Sequence, residues 1–210
     1  MINYRIEMER EIEALKRAGR RPLLALHSCC APCSSAVLEQ LNDAFQIAVF
    51  YYNPNISPED EFRRRAEEQL RLVREMPLAE DIRAEIGAYD PERFYAAVRG
   101  HESDPEGGAR CSICFELRLR ETAKYARDIG AEYFTTTLSI SPLKDASRLN
   151  TLGSAIAAEY GLKYLHSDFK KKDGYRRSCA LSKEYDLYRQ DFCGCVYSKL
   201  EAERRRKNQD

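Results

Sequence analysis

His27-Ser28-Cys29-Cys30-Ala31-Pro32-Cys33-Ser34 decides how the rest of the chain is read. A short apolar run, residues 23–26, precedes it, and a helical pattern, Ser35-Ala36-Val37-Leu38-Glu39-Gln40-Leu41, follows. The three thiols therefore sit on a strand-to-helix turn. Such a turn aims backbone N–H groups and the positive end of a helix dipole at whatever it holds. That environment favours thiolates, and thiolates are what a soft metal or an iron–sulfur cluster takes. Buried cysteines also serve as small hydrophobes. Three within five residues, with Pro32 holding the loop, match metal-type spacing better.

Outward from this turn the chain alternates strands and helices. Helical periodicity covers residues 4–18, with Ile6, Ile12 and Leu15 apolar, and Gly19 ends it. Strands are expected at residues 23–26, 46–52, 82–86, 132–137 and 162–165. Helices are expected to start near Pro58 (to 76), Pro91 (to 99), Arg110 (to 129) and Asp145 (to 160), with further helices at 181–189 and 197–207. Residues 139–144 read as a loop, and 174–178 lie between the fifth strand and the helix at 181–189. The pattern predicts an α/β fold with a mostly parallel five-stranded sheet, flanking helices and a C-terminal helical extension. One domain is expected over 1–210: an α/β core at 1–167, and an extension at 168–210 that completes the site.

Ligands of parallel sheets sit outside the carboxyl ends of the strands. Cys29, Cys30 and Cys33 follow the first strand, Cys111 and Cys114 open the helix before the fourth, and Cys193 and Cys195 follow the fifth. All seven can therefore meet at one sheet edge. Cys30 with Cys33, and Cys111 with Cys114, make two chelating arcs suited to tetrahedral zinc or a cubane cluster. Cys29 and Cys30, adjacent in an extended segment, are expected to point apart and to serve neighbouring metals. Cys30, Cys33, Cys111 and Cys114 are thus assigned to a cluster, and Cys29, Cys193 and Cys195 to a second metal, with electron transfer as the purpose. Gly194 permits close backbone approach. Cys179 lacks a partner motif and reads as a packing residue. His27 is expected to pack or hydrogen-bond at the end of its strand, and His101 and His166 carry no spacing signal.

The 34 basic and 34 acidic residues cancel, so bulk charge does not point to nucleic acid. Local runs do: Lys170-Lys171-Lys172, Arg176-Arg177 and Arg204-Arg205-Arg206-Lys207. Tyr51, Tyr52, Tyr175 and Tyr188 offer faces on which bases can stack. No Gly-rich phosphate loop supports nucleotide hydrolysis. No apolar stretch approaches a membrane span. The charged first 21 residues lack a signal-peptide core, so a cytoplasmic location with reduced cysteines is expected.

The combination of motifs resembles a known family. His27-Ser28-Cys29-Cys30-Ala31-Pro32-Cys33, Tyr52-Asn53-Pro54-Asn55-Ile56, Arg110-Cys111-x-x-Cys114-Phe115 and Thr135-Thr136-Thr137-Leu138-x-x-Ser141-Pro142-x-Lys144 carry the first part. Asp168-Phe169-Lys170-Lys171, Gly174-Tyr175 and Tyr188-Arg189-Gln190-x-x-Cys193-Gly194-Cys195 carry the rest. Together they are similar to the cobalamin-independent epoxyqueuosine reductases, the QueH family, over nearly the whole chain. The resemblance implies deoxygenation of epoxyqueuosine at the tRNA wobble position, the last step of queuosine biosynthesis. It implies a [4Fe-4S] cluster, an additional mononuclear iron, an external electron donor, and a fold similar to the PP-loop (HUP) nucleotide-binding proteins. Removing the epoxide oxygen needs two electrons and two protons, and Asp168 and Tyr52 are candidate proton donors. Lys144, Lys170, Lys171, Tyr175, Arg176, Arg177 and Arg189 are expected to bind the substrate. An iron–sulfur tRNA thiolation or desulfidase enzyme, and a non-catalytic zinc-stabilised RNA-binding module, are the competing readings.

Overall fold

The structure, a computed structural model, describes residues 2–78 and 82–207. Five parallel strands form one sheet in the order β3-β2-β1-β4-β5. They are β1 (Leu23–His27), β2 (Gln46–Tyr51), β3 (Arg83–Ile86), β4 (Tyr133–Thr136) and β5 (Lys163–Tyr164). The helices between and around them are α1 (Tyr4–Arg17), α2 (Ala31–Leu41), α3 (Glu59–Glu75), α4 (Pro91–Ala97), α5 (Ala109–Asp128), α6 (Ala146–Tyr160), α7 (Gly174–Glu184) and α8 (Val196–Lys207).

Strand side chains alternate between two apolar layers, because helices cover both faces. Leu24, Leu26, Ile47 and Val49 pack with α1, α2, α3 and α7. Ala25, Ala48, Phe50 and Phe134 pack with α5 and α6. Gly153 lets α6 lie on the sheet, since a Cβ there would fall 2.3 Å from the Tyr164 ring. From β1 the order runs outward one way through β2 and β3, and the other way through β4 and β5. The carboxyl ends of β1 and β4 therefore flank a crevice where a ligand sits. Among the described residues, no helix is long and apolar enough to cross a membrane.

Two local readings differ from the structure. The fourth strand ends at Thr136, whose hydroxyl accepts from the Leu138 amide at 3.1 Å and starts a 3-10 turn, Thr137–Ile140. The helix expected at 181–189 begins at Gly174 and ends at Glu184. Gly174 lies against the Phe169 carbonyl, where a Cβ would fall 1.8 Å from its oxygen, so glycine alone fits where this helix opens. Asp186, with φ +46°, turns the chain out of that helix before Arg189.

Candidate metal centre

The thiol turn occupies the crevice. Ser28 extends β1 by donating its amide to the Phe50 carbonyl at 2.9 Å. Cys30 is the extended N-cap of α2, Pro32 stands in the first turn, and Ser34 N–H returns to the Cys30 carbonyl at 3.1 Å. Pro fits this position because its missing N–H would be unpaired there anyway. Beneath the turn, the Gln69 side-chain oxygen accepts from Ser28 and Ser34 at 2.6 and 2.8 Å. Asn53 donates to the Ser28 carbonyl at 2.9 Å. These bonds anchor the loop from β2 and α3.

Cys29, Cys30 and Cys33 place their sulfurs within 4.8 Å of one another. Cys29 and Cys30 do not point apart: their sulfurs are 3.8 Å apart. Strand alternation lapses because the chain is already turning into α2, and Thr137 fixes Cys29 from the β4 side, accepting from its amide at 3.2 Å and meeting its sulfur at 3.4 Å. In the metal-free protein these thiols share charge unequally. Hydrogen bonds from the Cys29 and Cys33 thiols hold Cys30 well below the ordinary thiol value, whereas contacts with Cys29 and Cys30, and burial, push Cys33 well up.

The other four motif cysteines line a small pocket together: Cys111, Cys114, Cys193 and Cys195. Cys111 accepts from the Gly107 amide at 3.3 Å, and Cys195 from the Ser198 amide at 3.4 Å. Burial pushes the Cys114 thiol up to about 12. Gly194, at φ +127°, gives its carbonyl to the Ser57 amide at 3.0 Å and passes close to Ile56. Cys193 lines this pocket and a larger cavity that holds the first trio, so the seven thiols converge at the carboxyl edge. Cys179 sits on α7 and lines neither.

The larger cavity, about 610 Å³, is walled by Cys29, Cys30, Cys33, Leu138, Ile140, Pro142, Phe192 and polar groups. Among the expected substrate residues, Lys144, Tyr175 and Arg189 line it. Burial opposes the charge of Lys144, but Cys193 and its 3.0 Å partner Glu106 outweigh burial and raise its pKa. Arg189 donates to the Ser182 hydroxyl at 2.9 Å. Lys170, Lys171, Arg176 and Arg177 do not line it. Lys170 lies 2.8 Å from Asp168, Arg177 lies 2.6 Å from Glu39, and Lys171 and Arg176 are exposed. Asp168 and Tyr52 lie off the cavity too, and the Tyr52 hydroxyl accepts from Arg93 at 3.2 Å.

Arg205 and Arg206, from the C-terminal basic run, also stand on the wall, and one wall residue, Arg118, escaped sequence reasoning. Cys111, Cys114 and Arg118 are spaced i, i+3, i+7 along α5, the period that puts them on one helix face. That spacing was the available signal. His27 is buried and stays neutral, its pKa pushed to about 3 by burial and by Arg118. It hydrogen-bonds Thr136 at 2.8 Å at the end of β1, a packing and bonding role.

A model of the family described as epoxyqueuosine reductase QueH matches residues 24–201. The chain is 42% identical over 199 residues to the epoxyqueuosine reductase QueH of Streptococcus pyogenes, covering 94% of this chain and 78% of that one. It is 40% identical over 203 residues to the protein of that name from Staphylococcus epidermidis, covering 95% and 85%. For the Thermotoga maritima protein of that name the figures are 37% over 179 residues, 84% and 90%. The chain belongs to this family of oxidoreductases, and the thiolation, desulfidase and zinc-module readings receive no support from these relatives.

Proposed function

We propose that this chain, an epoxyqueuosine reductase by family, removes the epoxide oxygen from epoxyqueuosine in tRNA through a [4Fe-4S] cluster and a separately bound iron held by its seven edge cysteines. One domain does this, with residues 168–210 completing the site. The carrying observation is the three-thiol cluster opening onto a cavity of about 610 Å³.

The donor set fits such groups. Metal–thiolate bonds near 2.3 Å in a tetrahedron put sulfurs about 3.8 Å apart, and Cys29 and Cys30 meet that separation. Three protein ligands and an open position facing a cavity is how catalytic metal sites are built. The geometry therefore favours Cys29, Cys30 and Cys33 for the single iron. Cys111, Cys114, Cys193 and Cys195 form the complete four-thiolate set that a cubane takes. This regroups the division expected from sequence spacing.

When bound, these groups supply electrons singly and a Lewis acid for the epoxide oxygen. Opening the epoxide to an alkene consumes two electrons and two protons and releases water. Lys144 and Arg189 put positive charge on the wall where oxygen gains negative charge. Leu138, Ile140 and Pro142 limit water. Tyr175, 40% exposed, offers its ring to a base at the mouth. Asp168 reaches the cavity only through Lys170, whose Nζ donates to the Lys144 carbonyl at 3.4 Å. Tyr52 is committed to Arg93. Arg189 stands on the wall, and Arg205 and Arg206, paired there with Glu106 and Asp191 at 3.4 and 3.1 Å, exchange those partners for tRNA phosphates. The compartment is the cytoplasm, where tRNA and reduced thiols coexist.

Anaerobic purification and metal analysis test the reading. Brown protein with iron and sulfide supports it; colourless zinc protein refutes it. Cys193→Ala should abolish activity and weaken the visible cluster absorption, whereas Cys29→Ala should keep that absorption and lose activity. The reverse pattern returns the division expected from spacing.

A further inference from the structure

Arg118 is buried, at 2% exposure, between the two thiol groups. Its Nη1 faces the Cys114 sulfur at 3.8 Å. Its Nη2 donates to the Asn53 side-chain oxygen at 2.6 Å, and its Nε lies 3.3 Å from His27 Nε2. It also lines the large cavity with Cys29, Cys30 and Cys33. The other buried cations here have carboxylates: Arg65 with Glu61, Arg110 with Glu201, Lys144 with Glu106. Among the described residues, Arg118 has none. A buried charge without a countercharge is costly and is retained when something compensates it. Asn53 and neutral His27 do not. Metal-bound thiolates do, because each carries negative charge and the assembly as a whole is anionic.

We propose that Arg118 is the fixed countercharge of the thiolate centre, a positioning residue whose permanent positive charge raises the centre's reduction potential. This rests on the reading that the thiols hold iron. Net charge and hydrogen bonds to sulfur are among the quantities that set such potentials. Reduction adds negative charge, so a nearby guanidinium favours the reduced state. In metal-free protein most of that negative charge is absent, so removing Arg118 there should cost less than in the loaded protein.

Redox titration of the reconstituted protein, followed by visible and electron paramagnetic resonance spectra, tests this on Arg118→Gln, Arg118→Lys and Asn53→Asp. Gln should lower the potential so that the reduced-to-oxidised ratio at fixed potential falls at least about tenfold, 59 mV for one electron. Lys should retain most of the parent potential. Asn53→Asp sets a carboxylate against the guanidinium and should shift the potential in the same direction as Gln. Thermal unfolding adds a second readout: Gln should lower the melting temperature of the loaded protein more than that of the metal-free protein. Potentials unmoved by Gln, or moved equally by Gln and Lys, overturn the inference. If Gln prevents folding, an unmoved potential in Asn53→Asp overturns it. A parent protein without iron overturns the underlying reading and the inference with it; an iron-bearing parent with unmoved variants overturns the inference alone.

Discussion

Arg65→Ala should unfasten the C-terminal cysteines from the body of the protein. Arg65 projects from α3, is 1% exposed, and donates its Nε to Glu61 at 2.6 Å. Its Nη1 donates to the Cys193 carbonyl at 3.1 Å, and its guanidinium faces the Phe192 ring at 5.1 Å. Breaking a buried ion pair costs about 3–5 kcal/mol, because one charge is left unpaired. Glu61 is 13% exposed and keeps the Tyr188 hydroxyl at 3.1 Å, which brings the estimate to the lower end. Loss of a charged hydrogen bond to the Cys193 carbonyl is a contribution of about 1.5–3 kcal/mol within that total. A net loss of about 3 kcal/mol follows, read from the urea midpoint of metal-free protein at unchanged slope. The loaded variant should also lose iron faster than its parent, since Cys193 is no longer held. Arg65→Lys restores the charge without the second bond and should recover about half the loss. A loss under about 1 kcal/mol, or iron retention equal to the parent's, would refute the view that this arginine joins α3 to the thiol centre.

Other outcomes are equally specific. Gly194→Ala forces a side chain into φ +127° and 2.8 Å from Ile56 Cγ1, which should cost about 1–3 kcal/mol and lower Tm by roughly 2–4 °C per kcal/mol; an unchanged Tm contradicts the backbone geometry. The hydrogen bond from Arg71, and a further one from the Tyr188 amide, hold the Glu68 carboxyl below its ordinary 4.5 despite burial. Its folded pKa being the lower one, its stabilisation is present above about pH 4.5 and is lost as pH falls further. Glu68→Gln should therefore flatten the acid limb of the stability curve, and an unaltered limb removes Glu68 from the account. Neutralising Arg189 and Arg206, on the cavity wall, should reduce the salt slope of tRNA binding by roughly 1.4–1.8 at about 0.7–0.9 per contact. Neutralising Lys172 and Arg177, held off the cavity by Glu9 and Glu39, should change it less; equal effects would place the tRNA elsewhere.

The sheet was legible because its strands are short apolar runs between recognisable helices, and 23–26 and 46–52 differ from β1 and β2 by one residue at the C-terminal end. The convergence of seven cysteines followed from parallel-sheet topology, since each group stands after a strand or at the start of a helix on the same edge. Pairing among them was not legible. Whether Cys29 sides with Cys30 depends on where alternation yields to the α2 turn, and Thr137 decides that from 108 positions away. Surface charge reads differently in three dimensions for a related reason. Lys172 and Arg177 look like a basic patch in one dimension, but Glu9 and Glu39 come to them from α1 and α2. Arg118 hid in a helix with arginine at 110, 118, 120 and 127; its spacing from Cys111 and Cys114 was the one signal, and the fold buries it with Arg110 while Arg127 stays exposed.

The central claim meets its most direct test in a single-turnover experiment. Anaerobically reconstituted protein is mixed with tRNA carrying epoxyqueuosine and a low-potential reductant, and the digested nucleosides are weighed by mass spectrometry. The account predicts conversion to queuosine, lighter by one oxygen atom, with two electrons consumed per product and no conversion by protein lacking the Cys29, Cys30 and Cys33 thiols. Unchanged epoxyqueuosine with iron-loaded protein and bound tRNA, or full conversion without those three thiols, would contradict it.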